Sequence, residues 1–183
     1  MDSQRSDYEN LIRPVEDQLM RSVWRIVQNP DDAEDAFQDA VVRIWKRMAQ
    51  IRRHANPHAL ILRISINAAL TIVRKRSRRA RREEGTGRLD FQPDAGPDAA
   101  EALCEDERRR EVARAIARLP EQQATAVTLR YLLEQPYRDV AETLGCAEPT
   151  ARIHVSRGLA RLSSLLAHLS PTQARRTQNE PRK

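Results

Sequence analysis

The chain has 183 residues, of which 40% are hydrophobic, 32% charged and only 4% aromatic, and its formal net charge is +6. This composition favours a helical protein of one or two small domains with an anionic partner over a strand-rich fold. The longest apolar run, residues 59–73, is interrupted by polar side chains and is too short to span a bilayer. We therefore expect no membrane insertion and a cytoplasmic location.

Cysteine and histidine positions argue against a metal site. Cys104 and Cys146 are far apart and match no metal-binding or disulfide spacing. The four histidines also lack the spacing of metal ligands; they are His54, His58, His154 and His168. The sequence contains no phosphate-binding loop, nucleophile elbow or pair of catalytic carboxylates. We expect no metal, no cofactor and no catalytic residue, and a protein that is not an enzyme.

The first helical pattern runs from Tyr8 to Val27, where apolar residues recur at helical spacing. Pro14 lies inside this pattern, so the helix either kinks there or begins there. Asn29-Pro30-Asp31 then marks a turn into the next helix.

Residues 32–48 carry apolar side chains at unbroken helical spacing, so one face of this helix is suited to burial. Asp32 is the predicted cap at its start. The opposite face carries a stripe of acid, amide, acid and apolar side chains, which we call the acid stripe: Asp35, Gln38, Asp39 and Val42. Acids and a polar outer face are also ordinary on a solvated helix, so the stripe alone does not identify a binding site.

Asn56 and Pro57 open a third helix with a capping residue and a proline at the first position. Apolar residues cover most of its circumference, which predicts wide burial. One narrow row of polar residues remains, which we call the polar line: Arg63, Asn67, Thr71, Arg74 and Arg78. The line continues into further arginines that would neutralise phosphates, although a charge run is also typical of a solvated helix end.

Residues 83–100 are rich in Gly, Pro and Asp and have no period, which predicts a flexible linker. A second helical block follows, in which residues 137–159 predict a helix-turn-helix with Gly145 in the turn. Beyond residue 168 the chain is polar, which predicts a disordered tail.

The second helix of a helix-turn-helix places its exposed N-terminal part in the major groove of DNA. The residues predicted to face outward there form what we call the recognition face: Glu148, Pro149, Thr150, Arg152, Ile153, Ser156 and Arg157. Arginine can bind guanine through two hydrogen bonds, and serine or threonine can contact phosphate. A helical hairpin packed for structure alone is the alternative, but the motif and the basic charge together favour DNA.

Two stretches of the first half resemble motifs of bacterial sigma factors. Residues 33–45, AEDAFQDAVVRIW, are similar to the family's core-polymerase-binding segment, AED-x-x-Q-D/E-x-F-x-x-x-W. Residues 57–74 are similar to the helix that engages the minus-ten promoter element together with the preceding loop, residues 52–57. Leu60 stands where Trp is usual and Thr71 where Asp is usual, which affects base preference more than fold.

Residues 137–159 resemble the family's region-four pattern, Y-x-E-I-A-x-x-L-G-x-S-x-G-T-V-x-x-R-x-x-R-A. The matching residues are Tyr137, Ala141, Leu144, Gly145, Thr150 and Arg157. Ala147 replaces the usual capping Ser, and the loss of that oxygen costs about 1 kcal/mol.

The order of these segments resembles the small two-domain sigma factors, the extracytoplasmic-function (ECF) kind. The resemblance implies an all-α fold of two small helical domains. The first domain, residues 1–82, would bind polymerase and the minus-ten element, and the second, residues 101–168, would bind the minus-thirty-five element. Residues 83–100 would form the linker and residues 169–183 the tail. The resemblance also implies three partners. Core RNA polymerase would bind the acid stripe, and promoter DNA would bind the polar line and the recognition face. The third partner is an anti-sigma factor, which no residue here indicates by itself. A stand-alone helix-turn-helix regulator, binding operator DNA without polymerase, is the alternative.

Overall fold

The computed structural model describes residues 6–84 and 97–169, with side chains described for 6–82 and 104–169. All regular structure in these ranges is helical, which confirms the predicted all-α class. The α-helices are α1 (Glu16–Val27), α2 (Pro30–Lys46), α3 (Met48–Arg52), α4 (Pro57–Glu84), α5 (Pro97–Ala117), α6 (Glu121–Val127), α7 (Tyr137–Leu144) and α8 (Glu148–Leu165). Single turns of π-helix (Tyr8–Ile12, Thr128–Leu132) and 3-10 helix (Arg13–Val15, Ala167–Leu169) complete the described part.

The predicted linker and tail fall largely outside the described residues. Both ends of the linker are helical, because α4 continues to Glu84 and α5 begins at Pro97. Residues 85–96 and 170–183 lie outside the described ranges. We call residues 6–84 the first module and residues 97–169 the second module.

Helix α4 is the central element of the first module. None of residues 59–74 is exposed, as the wide apolar circumference predicted. Ile61, Ile66 and Leu70 are fully buried in a cluster that includes side chains of α1 and α2. Burial of each such side chain contributes about 1.5–3 kcal/mol, so α4 holds the module together.

The structure shows where α1 and α2 begin, which the sequence left open for α1 and placed wrongly for α2. Pro14 lies in a 3-10 turn, and the regular helix begins two residues later at Glu16. The cap of α2 is Asn29, whose Oδ1 accepts the backbone N–H of Asp32 at 3.0 Å, so the predicted Asp32 cap is wrong. Proline at the first helical position explains the earlier start. The Asp32 carboxylate instead pairs with Arg76 of α4 at 2.6 Å.

The second module contains the predicted helix-turn-helix, α7 and α8. Gly145 ends α7 with a φ of 69°, the left-handed conformation expected at this turn. Helix α8 begins at Glu148 with Pro149 in its first turn, and no side chain caps it. The two modules pack together along α4, which contacts α5, α6 and α7.

Gly158 sets how closely α8 approaches α6. A Cβ at this position would lie 2.6 Å from Cγ2 of Val127 and 3.4 Å from the carbonyl oxygen of Gln123. Overpacking of this kind costs about 1–3 kcal/mol, and the gain in helix propensity of about 1 kcal/mol offsets part of it. We therefore expect Gly158→Ala to lower the free energy of unfolding by about 1–2 kcal/mol. Urea unfolding measures this change in the free energy of unfolding. The double variant Val127→Ala/Gly158→Ala should be less destabilised than the sum of the two single variants. A Gly158→Ala protein more stable than the wild type would contradict the close approach of the two helices.

Candidate polymerase and nucleic-acid interfaces

The acid stripe lies together on the open face of α2. Asp35, Gln38 and Val42 are exposed, and Val42 retains 49% of its accessible surface. Asp39 is half-buried and pairs with Arg43 at 2.8 Å. Gln38 donates to Glu34 at 3.2 Å. The stripe is therefore an accessible row of acidic and amide groups with one apolar side chain at its end.

Burial of the opposite face of α2 keeps this stripe turned outward. Ala33, Ala36 and Ala40 are buried at spacings of three and four residues, with Ile44 one turn further on. Small side chains let α2 lie close to α4, its main packing partner. Because the buried face is fixed, the helical period places the acid stripe in solvent.

Three residues of the polar line, Arg63, Asn67 and Arg74, form hydrogen bonds with the second module. Arg63 Nη1 donates to the carbonyl oxygen of Leu144 at 3.2 Å, and Arg74 Nε donates to the carbonyl oxygen of Ala117. Thr71 donates back to the carbonyl oxygen of Asn67 in its own helix at 2.7 Å. Arg78 is exposed.

Asn67 lies in the middle of the polar line and uses both ends of its amide. Its Nδ2 donates to Glu121 at 2.9 Å, and its Oδ1 accepts from Thr125 Oγ1 at 3.1 Å. Two further hydrogen bonds join the modules, from Asn56 Nδ2 to Glu142 at 2.7 Å and from Arg25 Nη1 to the carbonyl oxygen of Leu132 at 3.0 Å.

These cross-module partners were not found from the sequence. Helical periodicity shows that a face is polar, but it carries no information on which distant segment will cover it. The acidic residues Glu121 and Glu142 lie 54 and 86 residues from their partners along the chain. No local pattern in the sequence marks them as partners of α4.

Burial between the modules affects the pKa of one arginine of the polar line, Arg74. Desolvation lowers the pKa of the Arg74 guanidinium, while the nearby Glu121 carboxylate acts to raise that pKa. Arginine nevertheless stays charged at neutral pH. The line thus holds positive charge that is partly removed from water and matched by acceptors of the second module.

The recognition face of α8 is open. Its residues are exposed except Glu148, which is partly buried, and Ile153 retains 48% of its accessible surface. The inward residues Ala151 and Val155 are fully buried and fix the rotation of the helix. All seven predicted residues lie in the first three turns of α8, where a helix-turn-helix meets the major groove.

Arg152 is held by two neighbours on this face. It forms an ion pair with Glu148 at 2.6 Å, and its guanidinium carbon lies 4.1 Å from the centre of the Tyr137 ring. Arg130 contacts the same ring at 5.2 Å. Tyr137 matched the family motif in the sequence, but its contact with Arg152 depends on the crossing of α7 and α8 and was not predicted.

Neither a metal site nor a membrane span is found in the described part of the chain. Within residues 6–84 and 97–169 no group of three or more His, Cys, Asp or Glu side chains could hold a metal ion. Among the same residues no helix is long and apolar enough to cross a bilayer.

Comparison with known proteins identifies the family. The sigma-70 region 2 model matches residues 11–79, and the sigma-70 region 4 model matches residues 109–162. The ECF RNA polymerase sigma factor SigM of Mycobacterium tuberculosis is 31% identical over 166 residues, covering 91% of this chain and 80% of SigM. The RNA polymerase sigma-E factor of Streptomyces coelicolor is 28% identical over 156 residues, which cover 85% of this chain and 84% of that sigma factor.

A match among solved structures is the sigma factor RpoE of Bartonella quintana in complex with the anti-sigma factor NepR. It is 24% identical, with a TM-score of 0.49, covering 88% of this chain and 97% of RpoE.

Both modules are therefore sigma-70 modules, one of region 2 and one of region 4. The chain belongs to the ECF sigma factors, as its resemblance predicted. It is a sigma factor that directs RNA polymerase, and proteins of this family are regulators rather than enzymes.

The contact between Tyr137 and Arg152 gives a testable consequence. We expect Tyr137→Leu to weaken binding to a promoter duplex by about 0.5–1 kcal/mol, because a cation–π contact at an exposed site has that strength. Tyr137→Phe keeps the ring and should bind like the wild type. Fluorescence anisotropy of the four proteins of the Tyr137→Leu/Arg152→Ala cycle measures the coupling. Strictly additive losses would show that the ring does not position Arg152.

Proposed function

We propose that this sigma factor binds core RNA polymerase through the acid stripe, recognises the minus-thirty-five element through the recognition face, and captures the opened minus-ten element along the polar line. Residues 1–82 and 101–168 are the two functional domains, 83–100 tether them, and 169–183 are a tail. It acts in the cytoplasm, with an anti-sigma factor as a third partner. The observation that carries this proposal is that the acid stripe and the recognition face are both exposed, one on each sigma-70 module.

The acid stripe has the chemistry of a protein interface. Its exposed carboxylate and amide offer directed hydrogen bonds to a basic partner, and Val42 adds an exposed apolar contact. Interfaces combine an apolar centre with a polar rim, and a few residues supply most of the affinity. The packing of α2 on α4 fixes the backbone that carries these groups, so that mainly their side chains have to be ordered on binding.

The recognition face has the chemistry of major-groove binding. Arg152 and Arg157 supply positive charge and paired donors, while Thr150 and Ser156 supply hydroxyl groups. An arginine held by Glu148 and Tyr137 loses little conformational entropy on contacting a guanine. Tethering this module to the polymerase-bound module then raises its effective concentration at the promoter.

The polar line suits a separated strand better than duplex DNA. It combines arginines for phosphates with an amide and a hydroxyl that can hydrogen-bond to an exposed base edge. With few aromatic side chains nearby, capture depends on shape and hydrogen bonds more than on stacking. This step requires that the second module leave α4.

The first test concerns polymerase binding. We expect Asp35→Arg together with Gln38→Ala to weaken binding to core polymerase by about 2–4 kcal/mol, because two central contacts are lost and one charge is reversed. Co-elution with core enzyme measures this loss, and an unchanged circular dichroism spectrum reports the fold. The matched control is Asp31→Arg with Gln18→Ala, which makes the same changes at exposed positions outside the stripe. Equal binding by both variants would contradict the assignment.

The second test concerns promoter recognition. We expect Arg152→Ala to weaken promoter binding by the holoenzyme by about 1–3 kcal/mol and to relax preference at one base pair. Arg161→Ala, a change of equal charge at an exposed site later in α8, is the control. Footprinting with and without core polymerase also separates the two functions, because a stand-alone regulator would protect its operator unaided.

A further inference from the structure

We propose that a cavity lined by both modules binds a free guanine nucleotide. The cavity has a volume of about 700 Å³ and lies between α1, α5 and the segment that contains the π turn Thr128–Leu132. Pockets of about 300–1,000 Å³ are typical of small-molecule sites. The residues that line it belong to neither the acid stripe, the polar line nor the recognition face, so the site is separate from the surfaces of the proposed function.

The α1 side of the cavity suits an aromatic ring. Trp24 lines the cavity and retains 48% of its accessible surface. Val112 of α5 and Leu132 of the π turn add partly buried apolar side chains. Aromatic side chains bind nucleobases by stacking. A base that stacks on Trp24 also removes apolar surface from water, which stabilises the complex.

The α5 side of the cavity carries positive charge. Arg108 and Arg109 line it, and both pair with the one carboxylate of Glu105, at 3.4 Å and 3.2 Å. Arg109 also lies 4.0 Å from Asp106, at the limit of an ion pair. More than half of each arginine side chain is exposed, so these pairs are weak. Phosphate oxygens, which bind guanidinium groups through paired hydrogen bonds, can therefore replace the carboxylate.

Arg25 adds a third positive charge, from α1. Its Nη1 donates to the carbonyl oxygen of Leu132 at 3.0 Å, which holds the guanidinium at the cavity. A guanidinium has further N–H donors that can bind a phosphate. Arginines of α1 and α5 thus line one cavity beside Trp24, as a ligand with an aromatic base and several phosphates requires.

The carboxylate of Glu134 selects among the bases. Glu134 is exposed and lines the cavity just after the π turn. An ionised carboxylate only accepts hydrogen bonds. Guanine presents two neighbouring N–H donors on one edge, whereas adenine presents its amino group beside an acceptor nitrogen. Glu134 therefore favours guanine over adenine.

The backbone at the rim of the cavity also points to a ligand site. Gln28 and Glu134 line the cavity, and they are the two non-glycine residues of the described ranges with positive φ, at 54° and 56°. Both follow a helical segment, where glycine is the usual residue in this conformation. A side chain at such a position costs energy, and positions of this kind concentrate at ligand sites.

Calorimetric titration of the free full-length protein with GTP tests the proposal. The comparison ligands are ATP, inorganic tripolyphosphate and a short single-stranded DNA. We expect GTP to bind about five- to tenfold more tightly than ATP, because one charged hydrogen bond separates them. Failure of GTP to bind, equal binding of tripolyphosphate, or binding of the DNA without binding of GTP would each overturn the proposal.

Two variants test the two sides of the cavity. We expect Trp24→Ala to weaken GTP binding about tenfold through the loss of stacking. Arg108→Ala/Arg109→Ala should weaken it by a similar factor through the loss of charged hydrogen bonds. Circular dichroism reports whether each variant keeps its helices.

Each of these variants has a matched control. Met20→Ala removes an exposed apolar side chain of α1, one turn before Trp24 and outside the cavity. Arg110→Ala/Arg114→Ala removes two exposed arginines of α5 that do not line it. Both controls should bind GTP like the wild type. Equal losses in a variant and its control would contradict the assigned site.

Glu134→Gly separates a ligand contact from a structural role. Glycine adopts the positive φ without strain, so the variant should be at least as stable as the wild type in urea unfolding. The same change removes the carboxylate, so the preference for GTP over ATP should disappear. A variant of undiminished stability that still prefers GTP would overturn the proposal.

Discussion

The structure depends on the burial of residues 59–74 of α4, none of which is exposed. A helix that is apolar around most of its circumference is stable in water only when neighbours surround it. Helices α1 and α2 cover part of that surface, and the second module covers the remainder. Ile61, Ile66 and Leu70 anchor the first contact, and the polar line forms the second.

The groups of the second module that contact the polar line are polar for an electrostatic reason. An apolar cover over Arg63 and Arg74 would leave two buried charges without partners, which is costly. Helix C-termini solve this problem, because their free carbonyl groups need donors as much as the guanidinium groups need acceptors. The guanidinium donors and the carbonyl acceptors thus satisfy each other.

The two open surfaces are positioned by buried faces of their own helices. Ala33, Ala36 and Ala40 turn the acid stripe of α2 outward, and Ala151 and Val155 do the same for the recognition face of α8. Small buried residues bring each helix close to its neighbour and so restrict its rotation. The orientation of the acid stripe and of the recognition face is thus fixed by the close packing of the opposite, buried faces of α2 and α8.

Much of this protein was predictable from local spacing. The helical class, the acid stripe, the wide burial of α4 and the turn at Gly145 follow from residue periodicity and from the φ that a short turn requires, and both act over a few residues. The Asn29 cap was also predictable, since Asn29-Pro30 marks a helix start that the choice of Asp32 overlooked. Tertiary structure alone decided that Glu121 meets Asn67, that Leu144 meets Arg63 and that Tyr137 supports Arg152. These contacts join residues distant in the chain or on crossing helices, and no local pattern records which polar face another segment will cover.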